Sequence, residues 1–206
     1  MSPAVQARLS TLRKALDALE AELASDTAND TVAATTGLPT PLAWGAKVSP
    51  TFRDRVRWIG EDLGFDPSWL MACMAFETGR RFTADVKNPQ STATGLIQFM
   101  AATAKGLGTT TAKLAAMTPE DQLNWVWRYF KPYKGKIGRL ADCYMAILNP
   151  VAIGKPDSSP MWVRGSSAYA VNAGLDSNKD QQITKAEAAA KVAAMLADGF
   201  KPENAA

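Results

Sequence analysis

The chain contains no histidine. That absence removes serine–histidine–aspartate and cysteine–histidine nucleophile relays, and with them every zinc site that needs an imidazole. Cysteine is scarce too. Cys73 and Cys143 are the two in 206 residues, too few for a disulfide-built scaffold. Both fall within apolar helical patterns and read as buried free thiols, packed as small hydrophobes, in preference to the alternative that the two pair as a disulfide. No hydrophobic run approaches the roughly 20 residues that a membrane helix requires. The opening Met-Ser-Pro-Ala-Val-Gln-Ala-Arg has no apolar core of a secretory leader, so the expectation is a chain made in the cytoplasm without a signal peptide. Neither sign of charge dominates. A net charge of +3 is too mild to argue for nucleic acid, although its sign suits an anionic polymer.

What is present is ordinary for a globule: 47% hydrophobic and 21% charged residues, enough for one domain with an appendage. Val5, Leu9, Leu12, Leu16, Leu19 and Leu23 step by four and three, a heptad seam with Arg, Lys and Glu around it. So short a seam is marginal alone. Residues 1–26 therefore call for a partner surface: copies of the chain, another protein, or the chain's own domain. The Thr-rich, Pro-punctuated stretch that follows makes 27–41 a linker and 42–206 a single domain.

That domain reads as mainly α. Ser49-Pro50 opens a helix whose face is Phe52, Val56, Ile59 and Leu63, and Gly64 closes it. Asp66-Pro67 opens the next. Arg81 to Ala93 is polar loop, Gly95 to Lys105 reads as a helix closed by Gly106, and Thr118-Pro119 opens another. Leu140 to Leu148 is apolar and helical, and no strand-like alternation of any length appears. Trp58, Trp69 and Trp127 fit helix core faces.

Leu70, Cys73, Met74 and Glu77 lie at three- and four-residue spacing, which sets Glu77 on the face of an apolar stripe. A carboxyl there is partly desolvated, so its pKa rises. Such an acid protonates leaving sugar oxygens in glycosidases. The plain alternative is a solvated glutamate at a helix end, stopped by Thr78-Gly79.

The segments AFETGRRF, NPQSTATGLIQFMAATAKGLG and LAAMTPEDQLNWVWRYF add an ordered set of motifs. They are Glu77-Thr78, Ser91 in a loop, Gly95-Leu96-Ile97-Gln98, Thr103-Ala104, Leu107-Gly108 and Met117-Thr118-Pro119. Over roughly Pro67 to Asn149 the chain resembles the soluble lytic transglycosylases and the related goose-type lysozymes. The resemblance implies a lysozyme-like helical domain that acts on the MurNAc–GlcNAc β-1,4 bond of peptidoglycan, with Glu77 as general acid and base. Ser91 and Gln98 carry over as substrate-loop residues. Tyr144 is the counterpart of a tyrosine that holds the sugar near the acid, though the family's Tyr-Asn pair is broken here and Asn149 lies further on. In hydrolytic relatives an aspartate positions water; Asp85 is the candidate, and Asp142 a second. The resemblance leaves open an anhydro-forming transglycosylase and a hydrolytic N-acetylmuramidase. It also leaves open a structural phage tail or baseplate component and an antibacterial effector. The expected setting is phage lysis or tail-associated wall penetration, acting in the periplasm or cell wall, with residues 1–26 available for self-association or docking.

A second constellation lies near the C-terminus. Asp176, Asn178, Asp180, Thr184 and Glu187 occupy positions one, three, five, nine and twelve of a loop, with the Gln182 carbonyl at seven. That is EF-hand spacing for one Ca²⁺, departing at position six, where Gln181 replaces glycine. Thr184-x-x-Glu187 alone would also serve as a helix capping box. Calcium is expected in that loop and no cofactor for the chemistry.

Overall fold

The computed structural model describes Thr40–Pro89 and Ser91–Ala206; the seam and nearly all of the linker lie outside the described residues. Pro41–Ala206 forms one compact unit. Two of its first helices start with the same device. Ser49 Oγ accepts the Phe52 N–H at 3.1 Å to open α1 (Pro50–Leu63), and Asp66 Oδ1 accepts the Ser68 N–H at 2.8 Å to open α2 (Pro67–Glu77). Each cap satisfies an orphan donor, and the proline after it loses no helical hydrogen bond. Two short helices follow, α3 (Ala101–Gly106) and α4 (Thr111–Ala115). Thr118 then caps α5 (Pro119–Phe130), and α6 spans Leu140–Leu148.

The expected face of α1 holds: Phe52, Val56, Ile59 and Leu63 are all buried, and Gly64 stops the helix at φ 79°. The stripe on α2 does not hold as drawn. Every residue from Leu70 to Ala75 is buried, so the helix is enclosed all round rather than on one side. It packs against α1, α6 and the last helix, α8 (Lys185–Gly199). The beginning of the domain is tied to its end, since the Leu42 N–H donates to Ala206 O at 2.7 Å and Trp44 Nε1 to Met195 O at 2.8 Å.

Three expectations are corrected. Gly95–Gln98 is a turn, not the first turn of a helix; α3 starts only at Ala101, and Thr94 bridges to both Lys87 and Phe99. A two-stranded antiparallel sheet exists, β1 (Pro160–Val163) on β2 (Gln182–Thr184), with Trp162 opposite Ile183 and an irregularity between Pro160 and Trp162. Strands of three and four residues are too short to display a period of two. Trp58 is 41% exposed rather than core, its ring under the Arg55 guanidinium and tilted against Trp127. One more helix, α7 (Ser167–Asn172), leads from β1 toward the acidic loop. Mainly α is the correct class, and no described helix is long and apolar enough to cross a membrane.

Candidate active site

Glu77 is the last residue of α2, where an enclosed apolar helix reaches the surface. Thr78 fixes that end: its hydroxyl donates to Met74 O at 2.6 Å and accepts the Phe82 N–H at 3.1 Å. The Glu77 carboxyl is thus held against apolar packing at the negative pole of a helix, where a negative charge is disfavoured. Burial lifts its pKa from 4.5 to about 7, with no charged group contributing. A second carboxylate is not what perturbs it.

Two phenols feel the charge of the acid. Phe76 meets Tyr144 edge to face at 5.7 Å, and Tyr144 is only 4% exposed. The Tyr144 phenol is pushed well above its ordinary range by burial first, then by Glu77 and Cys73. Tyr129, on α5, is pushed up to about 12 by burial, Tyr133 and Glu77 in that order. Its hydroxyl donates to Ala146 O at 2.7 Å, and its ring stands edge-on to Phe99 at 6.0 Å. Both phenols are therefore neutral and within electrostatic reach of Glu77. Tyr144 was a candidate on the sequence and Tyr129 was not. The signal was available, because Tyr129 lies beside Phe130 in a helix already read as core-facing.

The Gly-Leu-Ile-Gln motif is a built turn. Gly95 takes φ 82°, and its N–H donates to Val86 O at 2.7 Å. Gln98 takes φ 52°, and its Nε2 donates to Gly95 O at 3.0 Å and Val86 O at 3.2 Å. Its amide donor thus braces the loop that the resemblance assigns to substrate. Behind the turn sits Gln122, wholly buried, another residue the sequence did not single out. Its Oε1 accepts the Leu96 N–H at 2.7 Å while its Nε2 donates to Ala84 O at 3.1 Å and Leu114 O at 2.9 Å. Three polar backbone groups from three segments meet on one side chain, which fixes the turn from within.

The remaining candidates differ. Ser91 is exposed, its hydroxyl accepting the Ala93 N–H at 3.2 Å. Asp85 is exposed, and the Thr83 hydroxyl, its own N–H, Arg81 and Lys87 hold its carboxyl below the usual range. It does not perturb Glu77. Asp142 is built into packing: its Oδ1 pairs with Lys185 Nζ and accepts the Gly154 N–H at 2.8 Å, and Arg139 lies 3.5 Å from Oδ2. Burial pushes that carboxyl up, but Lys185, the Gly154 N–H and Arg139 together keep it below the ordinary value. With no exposed oxygen to spare, Asp142 is a strut between α6 and α8 rather than a holder of water. A cleft of about 410 Å³ between α1 and α5, lined by Arg55, Trp58 and Asn124 among others, contains none of these residues.

In the acidic loop, each side chain organises backbone. Asp176 Oδ2 accepts the Gln181 N–H at 3.0 Å and the Tyr169 hydroxyl at 2.6 Å, Asn178 Oδ1 the Asp180 N–H at 2.9 Å, and Asp180 Oδ1 the Gln182 N–H at 2.9 Å. Glu187 closes the capping box on Thr184 with Oε2, and Oε1 accepts from the Ser177 hydroxyl at 3.0 Å. These bonds, the Thr184 N–H first, hold the Glu187 carboxyl down at about 2 against the opposing effect of burial. Gln181 adopts φ 72°, the left-handed conformation for which position six favours glycine. Asp176 Oδ1 is buried without a partner, an oxygen that a hard cation would satisfy. Among the described residues no three Asp, Glu or Cys side chains converge on one point, so Asp176, Asp180 and Glu187 stand apart rather than in a closed cage. Glu187 Oε1 is occupied by the Ser177 N–H, the Ser177 hydroxyl and the Asn178 N–H, all of which it would have to release to ligate a cation. Compared with known proteins, the chain matches no family model and no curated protein.

Proposed function

We propose that the protein cleaves the MurNAc–GlcNAc β-1,4 bond of peptidoglycan as a lytic transglycosylase, on a lysozyme-like helical core. One observation carries this reading: burial brings the Glu77 carboxyl up to about 7, while those of Asp85 and Asp142 are held low. A single acid near neutrality serves both halves of the reaction. Protonated Glu77 gives its proton to the glycosidic oxygen as the C1–O bond breaks, and the leaving GlcNAc departs as an alcohol. The resulting carboxylate then removes the proton of the muramic C6 hydroxyl. That oxygen closes on C1 to give a 1,6-anhydro end, and Glu77 returns to its starting state. The substrate supplies the nucleophile, so no second enzyme carboxylate is needed, unlike the paired groups of hydrolytic glycosidases. Tyr144 and Tyr129 exclude water from the acid, and the braced Gly95–Gln98 turn positions the strand.

The hydrolytic alternative assigns water to Asp85, which is exposed and exerts no effect on Glu77; the one-carboxylate route fits better. The setting proposed is phage lysis or tail-associated wall penetration, with peptidoglycan strands as partner and residues 1–26 for assembly. Calcium in the 176–187 loop would brace β2 and the start of α8 without entering the chemistry. Turbidity of purified sacculi tests the function. Wild type should clear them and Glu77→Gln should not, and an active Glu77→Gln protein would refute the assignment.

A further inference from the structure

Cys73 on α2 and Cys143 on α6 lie 70 residues apart in sequence, yet their sulfurs meet at 3.9 Å in the core, with both side chains fully buried. Cys73 stands one turn before Glu77, and Cys143 directly precedes Tyr144, so the pair joins the two helices that carry Glu77 and Tyr144. We propose that this thiol pair is a disulfide-forming site that cross-links α2 to α6 when the chain folds in the presence of a low-molecular-weight disulfide.

The geometry needs little. A disulfide places its sulfurs about 2 Å apart, so a movement smaller than 2 Å, shared between two side chains, closes the gap. Formation removes only the two thiol hydrogens and inserts nothing into the packed interior. The step balances by two exchanges. One cysteine thiolate attacks the small disulfide, forming a mixed disulfide and expelling one small thiolate; the second cysteine then attacks the mixed bond and expels the other. The two cysteine sulfurs are oxidised, one small disulfide is reduced to two thiols, and the two cysteine protons pass to the leaving thiolates or to solvent.

Burial dictates when this happens. Both cysteines are fully enclosed, out of reach of a small disulfide in the folded protein, and desolvation, followed by the neighbouring Cys143 thiol, pushes the Cys73 thiol well above its ordinary range. Reaction is fast while the helices are still apart. Folding then shields the finished bond from reductant, which makes the redox state a record of the environment in which the chain folded.

The test refolds the full chain from urea in a buffer of oxidised and reduced glutathione, then alkylates remaining thiols and reads the intact mass. The expected product is two hydrogens lighter with no alkylation, returns to two alkylatable thiols only after unfolding in dithiothreitol, and melts at least about 5 °C higher than the reduced protein. Folded protein in the same buffer should convert at least tenfold more slowly. Cys143→Ser should give no mass loss, which assigns the bond to this pair. Two alkylatable thiols after refolding, glutathione retained on both cysteines, or an oxidised form that melts below the reduced one would each overturn the proposal.

Discussion

Gln122 and Gly95 share one space: the carboxamide of Gln122 lies where a Cβ at Gly95 would stand, so the turn carrying the Gly-Leu-Ile-Gln motif can close only on glycine. The φ of 82° makes the same demand independently. Gly95→Ala should therefore combine a collision with backbone strain and cost more than about 2 kcal/mol. Gln122→Leu should cost about 2–4 kcal/mol, because it strands the Leu96 N–H and two carbonyls in the core. Urea denaturation of each variant checks both values, and both should lose activity on sacculi beyond their loss of folded protein.

The sign of the Glu77 effect on stability follows from its shift. The folded group sits at about 7 against 4.5 in an unconstrained chain, so the folded state holds the proton more tightly. Stability is full below 4.5 and declines as pH rises through 7, by roughly 3 kcal/mol in all. Glu77→Gln, which has no proton to lose, should match wild type near pH 4 and exceed it by about that amount at pH 8. Melting curves at the two pH values read this without any substrate. In wild type, cleavage should fall as pH rises above about 7, since the first step needs the protonated acid.

The Asp142–Lys185 pair supports α6 against α8 with almost no solvent contact, and Lys185 Nζ also donates to Lys155 O at 2.9 Å. Removing one partner leaves a buried charge. Lys185→Met should cost about 3–5 kcal/mol, and Asp142→Leu with Lys185→Met should recover most of it. A double-mutant cycle by chemical denaturation measures the coupling. Single variants that unfold no more readily than wild type would refute the strut.

Gln181 spends energy to hold φ 72°. Gln181→Gly should relieve about 0.5–1 kcal/mol of that strain, part of it returned as unfolded-state entropy, and should tighten Ca²⁺ binding. Calorimetric titration should show Ca²⁺ uptake by wild type, and about 2.7 kcal/mol of stabilisation at a hundredfold excess over Kd. Asp176→Ala should abolish both. A melting temperature indifferent to Ca²⁺ and to chelator would contradict the calcium reading.

The legible parts of the fold were those written locally. Ser49, Asp66 and Thr118 announce helix starts because a cap and a following proline act within four residues. The Gly95–Gln98 segment reads as helix because its apolar spacing is ambiguous, whereas what makes it a turn is distant: Gln122 and the Val86 carbonyl. Glu77 was legible as a desolvated acid, but the enclosure of α2 on all sides comes from α1, α6 and α8 together. The Asp142–Lys185 pair was invisible for the same reason, since each partner is defined by the other in a different element.

The most direct test of the account is the mass of the muropeptides released from purified sacculi by wild type, beside those released by Glu77→Gln. The account predicts 1,6-anhydro-muramyl ends, each one water lighter than the corresponding reducing end and resistant to borohydride reduction, and nothing released by the variant. Reducible ends carrying the full water would contradict the one-carboxylate mechanism, and an absence of soluble products from wild type would contradict the enzyme.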